Sequence, residues 1–267
     1  MILLFDIGNT HTHVGLADDK RVIKQANIPT LAWFGGSAAA RVAKIIGKNK
    51  IKGVVLCSVV PRATPLVRKF AKRFGAPNSD SARTRKNKRA ESEFGVPLLE
   101  LTPQTLRGVG VDYPKPNSIG PDRLANAVAA KFHFGAPVVV VDFGTAVTFD
   151  VVNAEGNYVG GIIAPGLAVM TNYLHEKTAL LPKIEIRDIK TAIGKSTEEA
   201  MLVGAVHGYR GLVRELIGQL KQELGAKKLP VVATGGYAKL IAAKLPEISA
   251  VEPDLTLEGL RLVWLNK

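Results

Sequence analysis

The sequence has one cysteine, few aromatic residues and no apolar run long enough to cross a membrane. A single cysteine, Cys57, excludes an intramolecular disulfide framework and a cysteine-cluster zinc site. Its apolar surroundings predict a buried strand over 52–58, so we interpret the thiol as a core residue, with a reactive thiol as the alternative. The longest apolar runs, Met1–Phe5 and Pro137–Val141, each end at an aspartate. Neither fits a signal peptide or a membrane span, so we expect a cytoplasmic protein without a membrane partner.

Acidic residues are also scarce. The chain has 36 lysines and arginines against 23 aspartates and glutamates, which gives a formal net charge of +13. Ten of the basic residues lie between Arg62 and Ala90, against one acid, Asp80. Such a segment can bind nucleic acid, but its sharpest run, Arg83–Arg89, has no interleaved aromatic residue and no RNA-binding signature. We interpret it as a solvated loop and expect no nucleic-acid partner.

Several well-known motifs are missing. The sequence contains no P-loop and no dinucleotide-binding fingerprint. The triplet Asp142-Phe-Gly144 resembles the magnesium triplet of protein kinases, but no glycine-rich loop, strand lysine or catalytic loop accompanies it. His11 and His13 would share one face of a strand and could bind a metal, but no third ligand is evident. We interpret them as solvent-facing or phosphate-adjacent histidines.

The chain repeats one pattern at two positions about half its length apart. Residues 2–12 and 138–148 each place an apolar strand before Asp-x-Gly, a turn and a second β-rich stretch. This spacing indicates a duplicated domain rather than a short solenoid repeat. The 267 residues, 46% of them hydrophobic, are enough for one large domain or two smaller ones.

Strands and helices alternate in the remaining sequence, which predicts an α/β fold. Apolar spacing predicts a helix over Asp122–Phe134, and the prolines and glycine at 113–120 mark a boundary. We therefore predict two domains, 1–116 and 117–267. A capping box, Ser196 followed by Glu199, predicts a long helix that starts there and runs toward Gly225.

The Asp-x-Gly turns have the composition of a phosphate site. A glycine such as Gly8 lets the backbone approach a polyanion, and the amides and the hydroxyls of Thr10 and Thr12 can donate to phosphate oxygens. Asp6, at the end of its strand, can hold Mg²⁺ through water. One Asp-x-Gly is a weak signal, because such pairs often form hairpin turns. Two copies, each after a buried strand, favour phosphate binding.

Phosphoryl transfer to an alcohol needs a carboxylate that accepts the hydroxyl proton. Asp122 is the best candidate, because it follows Gly120 and adjoins Arg123, whose charge favours the ionised form. Asp122 could equally be a helix N-terminal residue that forms an ion pair with Arg123. Local sequence leaves both interpretations open.

A series of motifs along nearly the whole chain resembles that of type III pantothenate kinases. The motifs are Asp6-Ile-Gly-Asn-Thr10, Gly120-Pro-Asp-Arg123, Asp142-Phe-Gly-Thr-Ala146, Gly160-Gly-Ile-Ile-Ala-Pro-Gly166, Gly194-Lys-Ser-Thr197 and Thr234-Gly-Gly236. The resemblance implies two duplicated ribonuclease-H-like domains of the actin-like ATPase type, with mixed sheets flanked by helices. It also implies ATP-dependent phosphorylation of pantothenate to 4′-phosphopantothenate in coenzyme A biosynthesis, by a homodimer that needs a monovalent cation, K⁺ or NH₄⁺.

The resemblance also implies roles for single residues. Asp122 would be the catalytic proton acceptor, and Asp142 would coordinate the monovalent cation. The implied ATP-binding residues are Asp6, Ile7, Gly8, Asn9, Thr10, His11, Thr12, His13, Thr145, Gly235 and Gly236. The implied pantothenate-binding residues are Tyr113, Gly120, Pro121, Asp122, Arg123 and Thr197, of which Thr197 would act from the neighbouring subunit. A threonine confined to its own subunit is the alternative for that last residue.

Two features depart from the family pattern. Pro121 stands where the family usually has a small residue such as alanine, which affects the loop that presents Asp122. The basic segment Arg83–Arg89 matches no family motif. Two other functions therefore stay open: a kinase of another small alcohol, and a non-catalytic regulatory homologue that binds nucleic acid through the basic segment.

Overall fold

The computed structural model describes residues 1–74 and 96–266, so the basic segment Arg83–Arg89 lies outside the described residues. The strands are β1 Ile2–Ile7, β2 His11–Ala17, β3 Val22–Pro29, β4 Gly53–Ser58, β5 Leu98–Glu100, β6 Gly110–Val111, β7 Val138–Phe143, β8 Ala146–Val152, β9 Asn157–Pro165, β10 Val231–Thr234 and β11 Ala250–Val251. The helices are α1 Ala38–Ile46, α2 Thr64–Ala71, α3 Pro121–Phe134, α4 Leu167–Lys177, α5 Thr197–Val203, α6 Tyr209–Glu223, α7 Ala238–Ala242 and α8 Leu255–Leu265. Short 3₁₀ turns occupy Thr30–Trp33, Lys72–Phe74 and Pro116–Ser118.

The chain folds into two compact units. The first unit comprises Met1–Gly108, Lys115–Ala129 and Thr256–Lys267, and the second comprises Val109–Pro114 and Ala130–Leu255. The start of α3 and the C-terminal helix α8 therefore belong to the first unit. The domain boundary between residues 116 and 117 stays a prediction. Within the described part of the chain, no helix combines the length and the apolar character needed to cross a bilayer.

The first unit contains a five-stranded mixed sheet in the order β3-β2-β1-β4-β5. Strands β1, β2 and β3 form an antiparallel meander, whereas β4 runs parallel to β1 and β5 runs parallel to β4. The central strand β1 is apolar up to Asp6, as expected of a strand covered on both faces. Asp6 is opposite His13 on one neighbouring strand and Cys57 on the other.

The second unit repeats this topology. Its sheet has the order β11-β10-β7-β8-β9-β6, in which β7, β8 and β9 form the meander and β10 runs parallel to β7. Strands β1 and β7 have the same burial pattern, and the irregularity after Leu16 on β2 recurs after Val151 on β8. Asp142 occupies the place of Asp6, and its parallel neighbour is Thr234. The predicted duplication and α/β class are confirmed.

Each unit has its own hydrophobic core. In the first, Phe5, Trp33 and Phe70 pack edge to face with ring centroids 5.6 to 6.4 Å apart. Such aromatic pairs contribute about 0.5–1.5 kcal/mol each beyond their buried area. In the second, apolar residues of α6 such as Val213 and Ile217 belong to the core cluster that includes β7.

The predicted helix starts agree with the structure. Helix α3 begins at Pro121, a position where proline is favoured because the first helical amide needs no partner. The Ser196 hydroxyl accepts from the Glu199 amide at 3.2 Å, which confirms half of the capping box. The Glu199 carboxylate reaches one residue further back than predicted, to the amide of Lys195 at 2.7 Å. The long helix then continues through a π-helical turn at Gly204–Gly208 into α6.

Candidate active site

The first aspartate turn joins β1 to β2. The turn is closed by a hydrogen bond from the Gly8 amide to the His11 carbonyl oxygen at 3.0 Å. Asn9, Thr10 and His11 are exposed beyond that bond. The exposed groups of this tight turn are therefore accessible to a polyanion.

A buried hydroxyl network supports this turn from inside the first unit. The Trp33 indole donates to the Thr12 hydroxyl at 3.1 Å, and the hydroxyls of Thr12 and Thr30 are 3.1 Å apart. The Thr30 hydroxyl donates to the Gly8 carbonyl at 2.7 Å, and its amide donates to the Thr10 carbonyl at 3.0 Å. Thr12 is fully buried. It therefore supports the turn from inside through Thr30, whereas Thr10 lies on the exposed side of the turn.

The two histidines of the turn differ in environment. His11 is exposed, whereas burial, followed by the nearby charge of His11, lowers the pKa of the His13 imidazole. Within residues 1–74 and 96–266, no group of three or more histidine, cysteine, aspartate or glutamate side chains is placed to hold a metal ion. The described residues thus offer these histidines no third ligand.

Cys57 contacts the first of the predicted acidic residues, Asp6, and lies within the electrostatic reach of a second, Asp122. Its thiol donates to Oδ1 of Asp6 at 3.3 Å across the parallel β1–β4 pair. Burial raises the pKa of Cys57 well above its usual range, and the charges of Asp6 and Asp122 raise it further. Both carboxylates thus act on one buried thiol within the first unit. The interpretation of Cys57 as a core residue is confirmed.

Asp122 lies in the first turn of α3. The Arg123 amide donates to its Oδ1 at 2.9 Å. Burial raises the pKa of the Asp122 carboxyl above its usual range, and the backbone amide and charge of Arg123 offset part of the rise. A Cβ atom on Gly120 would lie 2.5 Å from Oδ1 of Asp122, so any larger residue there would displace the carboxylate. A carboxyl with a raised pKa is suited to accepting a proton.

The second aspartate turn joins β7 to β8. The Gly144 amide donates to the Ala146 carbonyl at 3.1 Å, so this turn is closed in the same way as the first but is one residue shorter. The Gly166 amide donates to the Thr145 carbonyl at 3.1 Å, and a Cβ on Gly166 would lie 2.2 Å from that oxygen. The glycine at the end of β9 is therefore required for close packing against the turn.

Gly235 lies directly against Asp142. It has φ of +90°, and an added Cβ would lie 2.6 Å from the Asp142 carboxylate and 2.7 Å from the Phe143 backbone. Glycine is needed for both reasons, since other residues rarely adopt this conformation. No atom lies within 4 Å of a Cβ built on Gly236. The Thr234-Gly-Gly236 segment thus borders the second aspartate.

Two predicted pantothenate residues lie in the second unit. Tyr113 is half-buried, and its ring is edge-on to Tyr158 with centroids 6.2 Å apart. Thr197 is exposed at the first position of α5, directly after its cap Ser196. Exposure leaves the Thr197 hydroxyl accessible.

The predicted residues fall into two sets, one in each unit. The first unit holds residues 6–13 and 120–123, and the second holds Tyr113, Asp142, Thr145, Thr197, Gly235 and Gly236. Sequence reasoning missed Cys57, Thr30 and Trp33 as neighbours of the first turn. The contact of Cys57 with Asp6 could have been anticipated from a parallel pairing of the two predicted strands, whereas nothing local indicates Thr30 or Trp33.

The family model for type III pantothenate kinases matches this chain over residues 2–83 and 78–219. A type III pantothenate kinase of Methylacidiphilum infernorum is 42% identical over 263 residues, which cover 98% of this chain and 87% of that protein. The motif series quoted above lies largely within the matched segments, and only the Thr234-Gly-Gly236 motif follows them.

Solved structures similar to this chain share its fold. One, named for a Baf family transcriptional activator of Campylobacter jejuni, has a TM-score of 0.56 at 17% identity and covers 98% of this chain and 96% of its own. Another, named for a 2-dehydro-3-deoxygalactonokinase of Sinorhizobium meliloti, has a TM-score of 0.56 at 13% identity and covers 98% of both chains. These likenesses, together with the two mixed sheets flanked by helices, confirm the expected duplicated α/β fold. Because the family model and a relative at 42% identity both extend over most of its length, the chain belongs to the type III pantothenate kinase family.

Proposed function

We propose that this protein transfers the γ-phosphoryl group of ATP to pantothenate, giving 4′-phosphopantothenate, the first step of coenzyme A biosynthesis. The observation that carries the proposal is the near full-length match to this family, together with an intact carboxylate at each motif position, Asp6, Asp122 and Asp142. The experiment is ADP release measured with pantothenate and with a panel of other alcohols, including sugars. Equal rates with a sugar, or no release with any alcohol, would contradict it.

Asp122 is proposed as the group that accepts the hydroxyl proton. As the pantothenate oxygen forms its bond to the γ-phosphorus, the bond from that phosphorus to the β-phosphate oxygen breaks and ADP leaves. The hydroxyl proton passes to the Asp122 carboxylate, whose pKa is raised by burial. Gly120 leaves space for this carboxylate, and Arg123 holds its Oδ1 through the backbone amide.

The turn from Asp6 to His13 is the proposed site for the ATP phosphates. Its exposed members, Asn9, Thr10 and His11, would contact the phosphates, while Thr12 is proposed to act indirectly by supporting the turn. Ile7, Gly8 and His13 complete this turn. Thr145 would meet ATP from the second turn, and Gly235 and Gly236 would border the adenosine.

The proposed metal sites rely on single carboxylates. The absence of a three-ligand cluster among the described residues fits Mg²⁺, which often binds through one or two carboxylates, water and substrate phosphates. Asp6 would hold Mg²⁺ through water, and the bound ion would neutralise phosphate charge. Asp142 would hold the monovalent cation, K⁺ or NH₄⁺, with its carboxylate kept in place by the close packing of Gly235.

Pantothenate is proposed to contact Tyr113, Gly120, Pro121, Asp122, Arg123 and Thr197. Thr197, exposed at the first position of α5, would offer its hydroxyl to the pantothenate carboxylate. Pro121 adopts the first position of α3, so it fixes the start of the helix that presents Asp122. This proline is compatible with the proposed arrangement.

We further propose that the working enzyme is a homodimer whose sites each take Thr197 from the neighbouring subunit. Large apolar residues are exposed along α4 and the segment after it: Val169, Met170, Tyr173, Leu174 and Leu180. Contiguous exposed apolar residues of this kind often mark protein–protein interfaces. A cytoplasmic location stays a prediction of the sequence.

A further inference from the structure

A strongly basic cavity of about 510 Å³ lies in the second unit. None of the predicted active-site residues lines it. The charged and titratable residues around it are Asp188, Lys190, His207, Arg210, Arg214 and Lys244. Four basic side chains and one carboxylate therefore line the cavity, together with the imidazole of His207.

Arg210 forms the fixed part of this cavity. Its side chain is only 5% exposed, which is rare for arginine unless it is paired. Nη2 donates to Oδ1 of Asp188 at 3.0 Å and to the Leu240 carbonyl at 2.7 Å, and Nε donates to the Ile241 carbonyl at 3.4 Å. Nη1 makes no hydrogen bond with the residues that the structure describes. The guanidinium is thus fixed through Nε and Nη2, and its Nη1 is left for a further hydrogen bond.

The two arginines of the cavity are ion-paired, whereas its two lysines are exposed, and the charge of Lys244 helps to lower the pKa of Asp188 after the larger effect of Arg210. Arg214 forms an ion pair with Glu247, with Nε 2.9 Å from Oε1. Neither Lys190 nor Lys244 forms an ion pair within residues 1–74 and 96–266. The four basic side chains outnumber Asp188 and Glu247, the two carboxylates that pair with the arginines, so they repel one another and a bound anion would reduce that repulsion.

The helix that carries His207 is irregular at this point. His207 lies in the π-helical turn Gly204–Gly208, one turn before Arg210. A π-helical turn inside an α-helix is costly and is often found at functional sites. It places an exposed imidazole on the rim of the same cavity.

We propose that this basic cavity binds a small molecule that carries a phosphate or diphosphate group, through residues that take no part in the proposed transfer. A phosphate suits it better than a single carboxylate, because its charge and its three or more acceptor oxygens can engage an arginine and two lysines together. The volume is in the range of small-molecule pockets, so the ligand is expected to have an organic part beyond its phosphate.

The test uses inorganic pyrophosphate as the probe and histidine resonances as reporters. The chain has five histidines, so selective ¹³C labelling of the imidazole Cε1 gives a small set of signals, and His207→Gln assigns the one that matters. The signals of His11 and His13 report separately on the first aspartate turn. Pyrophosphate is titrated without Mg²⁺, and we expect a saturable shift of the His207 signal.

A double variant and a matched control decide the outcome. Lys190→Ala with Lys244→Ala should weaken the binding reported by His207 by about tenfold or more, the effect of losing two charge-assisted hydrogen bonds. Lys221→Ala with Lys228→Ala removes the same charge from exposed positions outside the cavity and should leave this binding unchanged. Both double variants should keep the kcat and KM of the parent in pantothenate-dependent ADP release.

Three results would overturn the proposal. The His207 signal could fail to move, the shift could be confined to His11 and His13, or the two double variants could weaken binding equally. The last result would show a general effect of net charge. Each of these three results is read from the histidine signals and not from turnover, so it is independent of whether the chain phosphorylates pantothenate.

Discussion

At the scale of single residues, the environment of Asp122 determines how the enzyme should respond to pH. Burial raises its pKa, and a base must be ionised to accept a proton. Activity should therefore fall as pH is lowered through this raised pKa, so the acid limb of kcat/KM should lie above the range of an exposed aspartate. The pH dependence of kcat/KM at saturating Mg²⁺ measures this limb.

Asp122→Asn tests the same residue directly. The change preserves size but removes the proton acceptor, so transfer should fall by roughly 10²-fold or more, the range typical of general-base loss. The acid limb should disappear from the residual activity, while ATP binding should persist because Asp122 is not assigned to the nucleotide. Near-normal turnover, or an unchanged acid limb, would remove Asp122 from this role.

Cys57 is predicted to hold Asp6 through its thiol. Cys57→Ala removes the donor and should lower kcat/KM for Mg·ATP by a few-fold, consistent with the loss of one modest hydrogen bond. Cys57→Ser keeps a donor at the same place and should retain most of the activity. The readout is kcat/KM as a function of Mg²⁺ concentration, because a change in Asp6 should alter the Mg²⁺ requirement. If alanine and serine behave alike, the thiol is only a packing residue.

At the scale of elements, the junction of β9 and α4 determines the shape of the second turn. Gly166→Ala would place a Cβ 2.2 Å from the Thr145 carbonyl oxygen, and backbone cannot move aside cheaply. We expect a loss of about 1–3 kcal/mol in the free energy of unfolding, typical of overpacking, and a raised KM for ATP. Denaturant unfolding and ATP saturation kinetics measure the two effects.

Gly218→Ala is the matched control for that change. Gly218 lies within α6, and a Cβ built there has no atom within 4 Å. Alanine should stabilise the helix by about 0.5–1 kcal/mol without altering kinetics. If both variants lose the same stability, close packing of Gly166 against the turn is not the cause.

The end of β7 is where a monovalent cation is proposed to bind. Replacing Na⁺ by K⁺ or NH₄⁺ at constant ionic strength should raise activity markedly, because the cation held by Asp142 offsets phosphate charge. Asp142→Ala should abolish the difference between the cations. Asp19→Ala, which removes an exposed carboxylate, should preserve it. Equal rates in Na⁺ and K⁺ for the parent protein would exclude a specific site.

At the scale of the whole molecule, the dimer proposal predicts complementation between two inactive variants. Asp122→Asn and Thr197→Arg are unfolded together and refolded as a mixture. If Thr197 acts from the neighbouring subunit, some heterodimers contain one intact site, with Asp122 from one chain and Thr197 from the other. Activity should then return to a measurable fraction of the parent value.

Independent proof of subunit exchange makes a negative result informative. A pull-down through a tag on one variant should recover the other variant. If the heterodimers form and activity stays at background, each chain builds its own site. The double variant that carries Asp122→Asn and Thr197→Arg on the same chain, refolded alone, should stay inactive in either case.

Local sequence was sufficient to predict the main strands and helices and the phosphate-binding composition of the two aspartate turns. Apolar strands that end in Asp-x-Gly are determined by alternation, burial and turn propensity, which act over a few residues. The repeat at half the chain length also predicted the duplicated topology, because the same short-range pattern occurs twice. Motif order then indicated the family, which the full-length match confirmed.

Other features depended on contacts between residues distant in the sequence. The sequence predicts Thr12 as a phosphate ligand. In the structure its hydroxyl is buried and bonded to Thr30 and Trp33, which are 18 and 21 residues away. The rise in the pKa of Asp122 comes from burial, which local sequence does not reveal. Likewise, the basic cavity joins Lys190, Arg210 and Lys244 from three separate segments. The sequence by itself determined the strands, the turns and the positions of the acidic residues in them, because these follow from short-range preferences. Only the tertiary structure decided which side chains are buried, which are hydrogen-bonded to distant residues and which line a common cavity, because these depend on contacts between separate segments.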